Sequence, residues 1–124
     1  MPSVEILVVD DDAALRTSVG RMLRGIGHVV REAADGAEAL RSVRAAPPDL
    51  IITDIMMPDS DGIELIGAVR EIHPTVRIIA ISGRAAFGDL DLLNLASMIG
   101  ADVTLTKPMS PDELLEAVAK LTAG

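Results

Sequence analysis

The chain has 124 residues, 49% of them hydrophobic, and a formal net charge of −8 at pH 7. This length and composition predict one folded domain rather than a disordered segment. The negative charge argues against direct binding of DNA or RNA, and a single aromatic residue leaves no platform on which bases could stack. The longest apolar runs are far shorter than the roughly 20 residues that a membrane span needs.

The sequence contains no cysteine, which excludes disulfides and thiolate metal sites. The N-terminus lacks the basic, apolar and small-residue succession of a signal peptide. Together these features lead us to expect a cytoplasmic protein with no membrane partner.

Five short apolar strands alternate with helices along the chain. The strands are predicted at residues 5–9, 29–33, 50–53, 76–81 and 103–106. The first helix is predicted to begin near Asp12 and to end at Gly25 and Gly27. Asp35 starts the second helix, and a helix at about residues 90–98 precedes the last strand. His28 and His73 are predicted to be surface residues beside turns.

The last helix has the strongest start signal of the chain. Ser110 is placed as its N-cap, Pro111 as its first helical residue and Glu113 as the second member of a capping box. The regular alternation of strands and helices predicts an α/β fold, a doubly wound parallel sheet of five strands with helices on both faces. Apolar strands without alternation fit a sheet buried on both sides.

Polar side chains follow four of the five predicted strands. They are Asp10 and Asp11, Asp54, Ser82 and Lys107. The carboxyl ends of parallel strands meet at one edge, where ligands bind in open sheets, so we expect these residues to be close together. The second strand contributes none, which places it on the outside of the sheet.

Three carboxylates in one cleft repel each other, by roughly 4 kcal/mol for a pair about 4 Å apart at an effective dielectric near 20. Either one of them is protonated or a cation lies among them. Lys107 supplies one positive charge, too little for three carboxylates. The oxygen ligands therefore favour Mg²⁺.

A carboxylate of this set can act as a nucleophile toward a phosphoryl group, whose charge a metal ion would neutralise. Lys107 and the Ser82 hydroxyl could then bind the phosphoryl oxygens. Each residue also has a simpler interpretation. The aspartates at 10 to 12 could form a helix cap, Asp54 could cap a loop, Ser82 could be a turn hydroxyl and Lys107 a surface lysine.

Four segments, in order, resemble the receiver domains of two-component response regulators, the CheY-like family. They are ILVVDDD at residues 6–12, DLIITDIMMPDSDG at 49–62, IIAISG at 78–83 and TLTKP at 104–108. The resemblance implies a (βα)5 flavodoxin-like fold with strand order 2-1-3-4-5. It implies a single receiver domain over residues 1–124 with no output domain. It also implies a protein that is not an enzyme beyond Mg²⁺-dependent self-phosphorylation and slow autodephosphorylation.

The resemblance also assigns roles to particular residues. Asp54 corresponds to the phosphoacceptor. The implied metal ligands are Asp10, Asp11, Asp54 and the backbone carbonyl of Met56. Ser82 and Lys107 correspond to the phosphoryl-binding residues, and Thr104 occupies the switch position where the family usually has an aromatic or histidine. The bond before Pro108 is expected to be cis.

The implied partners are a sensor histidine kinase or a histidine phosphotransfer protein, and a downstream protein that recognises the phosphorylated state. Because Thr104 cannot swing as an aromatic ring does, we expect the structural change in residues 84–91 and the fourth helix.

Three alternatives accompany this interpretation. The chain could be a receiver excised from a longer multidomain regulator or hybrid kinase. A phosphate-ester hydrolase would need an acid at the position of Met56. A flavin-binding module would need a phosphate cradle where the aspartates stand.

Overall fold

The computed structural model describes residues 4–57, 60–82, 96–107 and 109–122. Its strands are β1 Glu5–Val9, β2 Val29–Ala33, β3 Leu50–Asp54, β4 Met56–Met57, β5 Ser60–Asp61, β6 Arg77–Ser82 and β7 Val103–Thr106. Its helices are α1 Ala13–Gly25, α2 Gly36–Ala45, α3 Gly62–Ile72, α4, described at residues 96–99, and α5 Pro111–Thr122.

Five strands form one parallel sheet in the order β2-β1-β3-β6-β7. This confirms the predicted order 2-1-3-4-5, because β6 and β7 are the fourth and fifth strands of that sheet. β4 and β5 form a separate antiparallel pair that we did not predict. Two residues are too few to show the alternation that identifies a strand in sequence.

The sheet is covered on both faces, as predicted. One apolar cluster includes Leu7 and Ile51 of the sheet together with Ile66 of α3. The opposite cluster includes Ile52 of the sheet and Leu23 of α1. Neighbouring residues of a strand thus point to different clusters, and each fully buried side chain contributes about 1.5–3 kcal/mol.

The predicted helix starts are confirmed by their hydrogen bonds. Asp12 caps α1, since its carboxylate accepts from the amides of Ala14 and Leu15 at 3.0 and 3.2 Å. The two halves of the capping box of α5 are both present, with Ser110 N to Glu113 Oε1 at 3.2 Å and Glu113 N to Ser110 Oγ at 3.1 Å. These bonds satisfy amides that the first turn of a helix leaves unpaired.

The prediction that His28 is a surface residue was wrong, because His28 is only 5% exposed. Its Nδ1 accepts a hydrogen bond from Val4 N at 3.2 Å. The pairing of β1 with β2 begins at Glu5 and Val29, which brings His28 beside the start of β1. Its place next to a glycine turn suggested the surface, but the sheet register buries it. His73 is half-buried.

Candidate functional site

The carboxyl ends of β1 and β3 bring the predicted acidic residues together. Val9 is paired with Thr53, so the next residues of the two strands, Asp10 and Asp54, lie side by side. Both are buried, with exposures of 5% and 6%, whereas Asp11 is exposed. Carboxylate oxygens of these three aspartates all lie within 4.8 Å of one another. The predicted three-carboxylate cluster is therefore present.

The register of β6 and β7 places the other two predicted residues beside this cluster. Ser82 is paired with Thr106, and the amide of Lys107 donates to the Ser82 carbonyl at 2.7 Å. The Lys107 side chain reaches both buried aspartates, with Nζ at 2.9 Å from Asp54 Oδ2 and 3.2 Å from Asp10 Oδ2. The interpretation of Lys107 as a free surface lysine is therefore wrong.

The charges in this cluster do not balance. Burial raises the pKa of Asp10, and the nearby charge of Asp54 adds to the effect, while the Asp12 amide and Lys107 oppose it. Burial would lower the pKa of Lys107, but its hydrogen bond and ion pair with Asp54, and then those with Asp10, outweigh burial and raise it. One ammonium group thus faces three carboxylates, all of them hard oxygen donors of the kind that Mg²⁺ and Ca²⁺ bind.

The Ser82 hydroxyl is fully buried, and its Oγ has no hydrogen-bond partner within the part of the chain that the structure describes. Leaving a buried polar group unpaired costs about 1–3 kcal/mol. Without a partner among the described residues, this hydroxyl at the end of β6, on the strand next to Asp54, is a donor available to a ligand.

The remaining predicted residues are only partly tested by the geometry. Thr104 is half-buried on β7, paired with Ala80. Met56 lies in β4, two residues after Asp54. Pro108 and residues 84–91 lie outside the described residues, so the cis bond and the loop change stay predictions.

Two residues at the site were missed by the sequence analysis. Arg16 of α1 donates through Nη1 to the Asp10 carbonyl at 2.6 Å. Gly62, the first residue of α3, packs against β3 so closely that a Cβ there would lie 2.5 Å from both Asp54 O and Ile55 Cα. A glycine at a helix start was a visible signal for such a contact, whereas nothing in the sequence marked Arg16 among the other arginines.

A family profile described as "Response regulator receiver domain" matches residues 6–119. Because this match covers most of the chain, the chain belongs to the response-regulator receiver-domain family. It is a receiver domain of two-component signalling. Receiver domains are phosphoacceptors rather than classical catalysts, and they interact with histidine kinases and downstream effectors.

Individual relatives agree with the family assignment. The chain is 32% identical over 120 residues to sporulation initiation phosphotransferase F of Bacillus subtilis, covering 97% of this chain and 94% of that protein. It is 40% identical over 120 residues to the transcriptional regulatory protein PrrA of Mycobacterium tuberculosis, covering 96% of this chain and 50% of that protein. Like PrrA, several of the curated relatives are at least twice as long as the segment they share with this chain.

Solved structures share the fold. A putative response regulator from Chloroflexus aurantiacus has a TM-score of 0.89 at 33% identity, with 99% of this chain and 100% of that chain covered. The chemotaxis protein CheY4 of Vibrio cholerae has a TM-score of 0.87 at 30% identity, with 97% and 99% covered. Among the described residues, no helix has the length and hydropathy of a membrane span.

Proposed function

We propose that Asp54 accepts a phosphoryl group from a phosphohistidine of a sensor histidine kinase or a histidine phosphotransfer protein. The observation that carries this proposal is the position of Lys107 Nζ, 2.9 Å from Asp54 Oδ2 inside a cluster of three carboxylates. In the transfer, an oxygen of the Asp54 carboxylate bonds to phosphorus as the phosphorus–nitrogen bond breaks. An acyl phosphate forms, and neutral histidine leaves after taking up a proton.

Asp10, Asp11, Asp54 and the Met56 carbonyl would hold Mg²⁺. The donor chemistry supports this assignment, since the cluster offers only oxygen atoms and carries more negative charge than Lys107 balances. Bound Mg²⁺ neutralises charge on the phosphoryl oxygens. Lys107, already at hydrogen-bond distance from Asp54, is placed to bind one of the same oxygens once the acyl phosphate forms.

Ser82 is the proposed switch residue. Its buried hydroxyl lacks a partner among the described residues, and a phosphoryl oxygen on Asp54 would accept its hydrogen bond. Ser82 ends β6, so a movement toward the phosphoryl group would pull on the segment that follows. Phosphorylation can shift the protein between two conformations only if it stabilises one of them more than the other. A hydrogen bond from Ser82 to the phosphoryl group, made in only one conformation, would do so.

Thr104 modifies the switch that we propose. A half-buried threonine cannot rotate into the sheet face as an aromatic ring would, so the change on phosphorylation is carried by residues 84–91 and the fourth helix. A downstream protein would recognise that change. The apolar side chain of Met56 offers no proton transfer and cannot orient a hydrolytic water, so we expect a slowly hydrolysed phosphoryl group rather than turnover of phosphate esters.

A second candidate is that the chain is a receiver domain from a longer regulator or hybrid kinase. The relatives that support it are regulators of which the shared segment makes up 24% to 50%. The length of the native open reading frame distinguishes it from a single-domain receiver of residues 1–124. A frame ending at Gly124 would contradict this second candidate.

Incubation with acetyl phosphate and MgCl₂, followed by intact-mass spectrometry, tests the proposal. We expect the native chain to gain one phosphoryl group and Asp54→Asn to gain none, with a matched control in exposed Asp112→Asn, which should behave like the native chain. A phosphoryl gain that survives Asp54→Asn, or that does not need Mg²⁺, would contradict the proposal.

A further inference from the structure

Arg16 makes contacts that its position in α1 does not require. Its amide donates to the Asp12 carbonyl at 3.0 Å, the first regular bond of the helix, so the residue lies one turn from the helix start. The positive end of the helix dipole is there, which disfavours a cation. A helical side chain covers the turn before its own Cα, and the guanidinium accordingly reaches back toward residues 10–12. Its location is therefore explained by what it binds and not by helix stability.

The group that Arg16 binds is the carbonyl of the peptide between Asp10 and Asp11. Nη1 donates to that oxygen at 2.6 Å. The same peptide unit is planar, so fixing its carbonyl also fixes the direction in which the chain leaves toward Asp11. Asp10 lies one residue beyond β1, and its own amide is bonded to Ala33 O at 3.2 Å. Arg16 thus holds the one peptide that joins two of the clustered aspartates.

Arg16 is itself held from the other side by Glu32 of β2. Its Nε faces Glu32 Oε1 at 3.4 Å, an ion pair without hydrogen-bond geometry, and the two side chains are only 17% and 28% exposed. Glu32 is paired with Val8, so this anchor belongs to the sheet and not to a loop. A bridge therefore runs from the outer strand through Arg16 to the Asp10–Asp11 peptide.

We infer that Arg16 is a positioning residue that orients Asp10 and Asp11 for binding a divalent cation, an inference that rests on the proposed function. Among the described contacts, Arg16 does not reach a carboxylate oxygen of the cluster. Its effect is on metal affinity, through the geometry of the Asp10–Asp11 peptide. Removing a group that orients metal ligands typically weakens metal binding by about 10- to 100-fold.

The chain provides a matched control in Arg24. It belongs to the same helix and lies 3.7 Å from the other oxygen of Glu32, and it donates to Val30 O at 3.0 Å. None of its hydrogen bonds or ion pairs in the described structure involves residues 10–12. Replacing either arginine removes one charge from the same neighbourhood, but only Arg16→Met releases the Asp10 carbonyl.

The experiment titrates the full chain and its variants with MgCl₂ by calorimetry, and measures phosphorylation by acetyl phosphate as a function of Mg²⁺ concentration. We expect Arg16→Met to weaken Mg²⁺ binding about tenfold, with a phosphorylation rate at saturating Mg²⁺ close to the native one, and Arg24→Met to leave both unchanged. Arg16→Lys keeps the positive charge and one hydrogen-bond donor, so its loss of Mg²⁺ affinity should be smaller, about two- to threefold.

Thermal unfolding without Mg²⁺ identifies a variant that fails to fold, in which case Arg16→Lys carries the comparison. Native Mg²⁺ affinity in folded Arg16→Met, or an equal loss in Arg24→Met, would overturn the inference. Loss of the rate even at saturating Mg²⁺ would overturn it too. If the native chain binds no Mg²⁺, the proposed function itself is refuted. If the native chain is phosphorylated normally and Arg16→Met binds Mg²⁺ with native affinity, only this inference is refuted.

Discussion

The two ends of the sheet both carry ion pairs, but the pairs at the carboxyl end involve buried aspartates, whereas Asp102 at the amino end is exposed. At the carboxyl end, Lys107 is shared between Asp54 and Asp10. At the amino end, Arg70 of α3 is paired with Asp102 at 2.9 Å. The first set has more negative than positive charge and, among the described residues, a nearby hydroxyl without a partner, whereas the second places two arginines, Arg70 and Arg77, beside one carboxylate.

The amino-end set, which we call the Arg70 clamp, satisfies its groups in the folded chain. The Arg70 Nη2 also donates to Gly100 O at 2.6 Å, and Asp102 Oδ2 accepts from Ile78 N at 2.8 Å. Gly100 has φ 127°, and a Cβ there would lie 2.6 Å from Arg70 Nε, so only glycine fits beneath the guanidinium. The clamp joins α3 to the connection between α4 and β7.

The comparison shows which charged groups serve stability and which serve binding. The Arg70 clamp is partly exposed, and its charged groups are satisfied by hydrogen bonds and ion pairs within the folded chain. The carboxyl-end cluster is not satisfied in this way, because burial and like charge raise the pKa of Asp10. An unbalanced buried cluster is a typical candidate for a functional site.

The largest expected effect concerns the Arg70 clamp. Arg70→Met should lower the free energy of unfolding by about 2 kcal/mol, because it leaves the carbonyls of Gly100 and Val76 without their Arg70 donor and removes one of the two ion pairs of Asp102. Urea denaturation measures this change, with exposed Arg41→Met as the control. Mg²⁺ affinity should stay native in both variants. A stable Arg70→Met chain with weakened Mg²⁺ binding would contradict the division between the two ends.

Asp10→Asn tests the free-energy cost of the buried charge at the carboxyl end of the sheet. Because burial raises the pKa of Asp10 above its usual 3.8, the folded chain binds this proton more tightly than the unfolded chain. The stability that this tighter proton binding contributes is therefore fully present below pH 3.8 and is lost as the pH rises through the raised pKa of Asp10. Without Mg²⁺, Asp10→Asn should be more stable than the native chain at pH 7, because the amide carries no charge to desolvate.

The advantage of Asp10→Asn should shrink as the pH falls toward 3.8, where Asp10 of the native chain becomes neutral as well. Urea denaturation of both chains over a series of pH values gives this difference directly, and groups common to both chains cancel. A difference that grows on acidification would show that the ionised Asp10 stabilises the fold.

Ser82→Ala should produce the smallest change. It removes a buried hydroxyl without a described partner, so the free energy of unfolding should rise by about 0.5 kcal/mol while phosphorylation by acetyl phosphate slows. Thr53→Ala is the matched control, since its equally buried hydroxyl donates to Asp54 O at 2.9 Å and its loss should destabilise the fold. Equal destabilisation by both substitutions would mean that the Ser82 hydroxyl is already bonded in the free protein.

Local sequence signals predicted the elements that depend on neighbouring residues. Asp12, Asp35 and the Ser110–Glu113 pair lie at helix starts, because capping bonds join residues two or three positions apart. The predictions of the central strands β1, β3 and β6 succeeded because a parallel sheet covered on both faces needs apolar runs there. His28 and the β4–β5 pair were missed, since the burial of one and the pairing of the other depend on partners that no local pattern identifies.

The sequence by itself determined the chemical content of the candidate site, because acidic residues, a serine and a lysine follow four of the five strands of a predictable sheet. Only the tertiary structure decided how those groups share their charges. The register of β1, β3, β6 and β7 places Lys107 between two buried aspartates and leaves Ser82 without a described partner. Arg16 is indistinguishable from the other arginines of its helix in sequence, since a long side chain acquires its partners only when distant elements pack together.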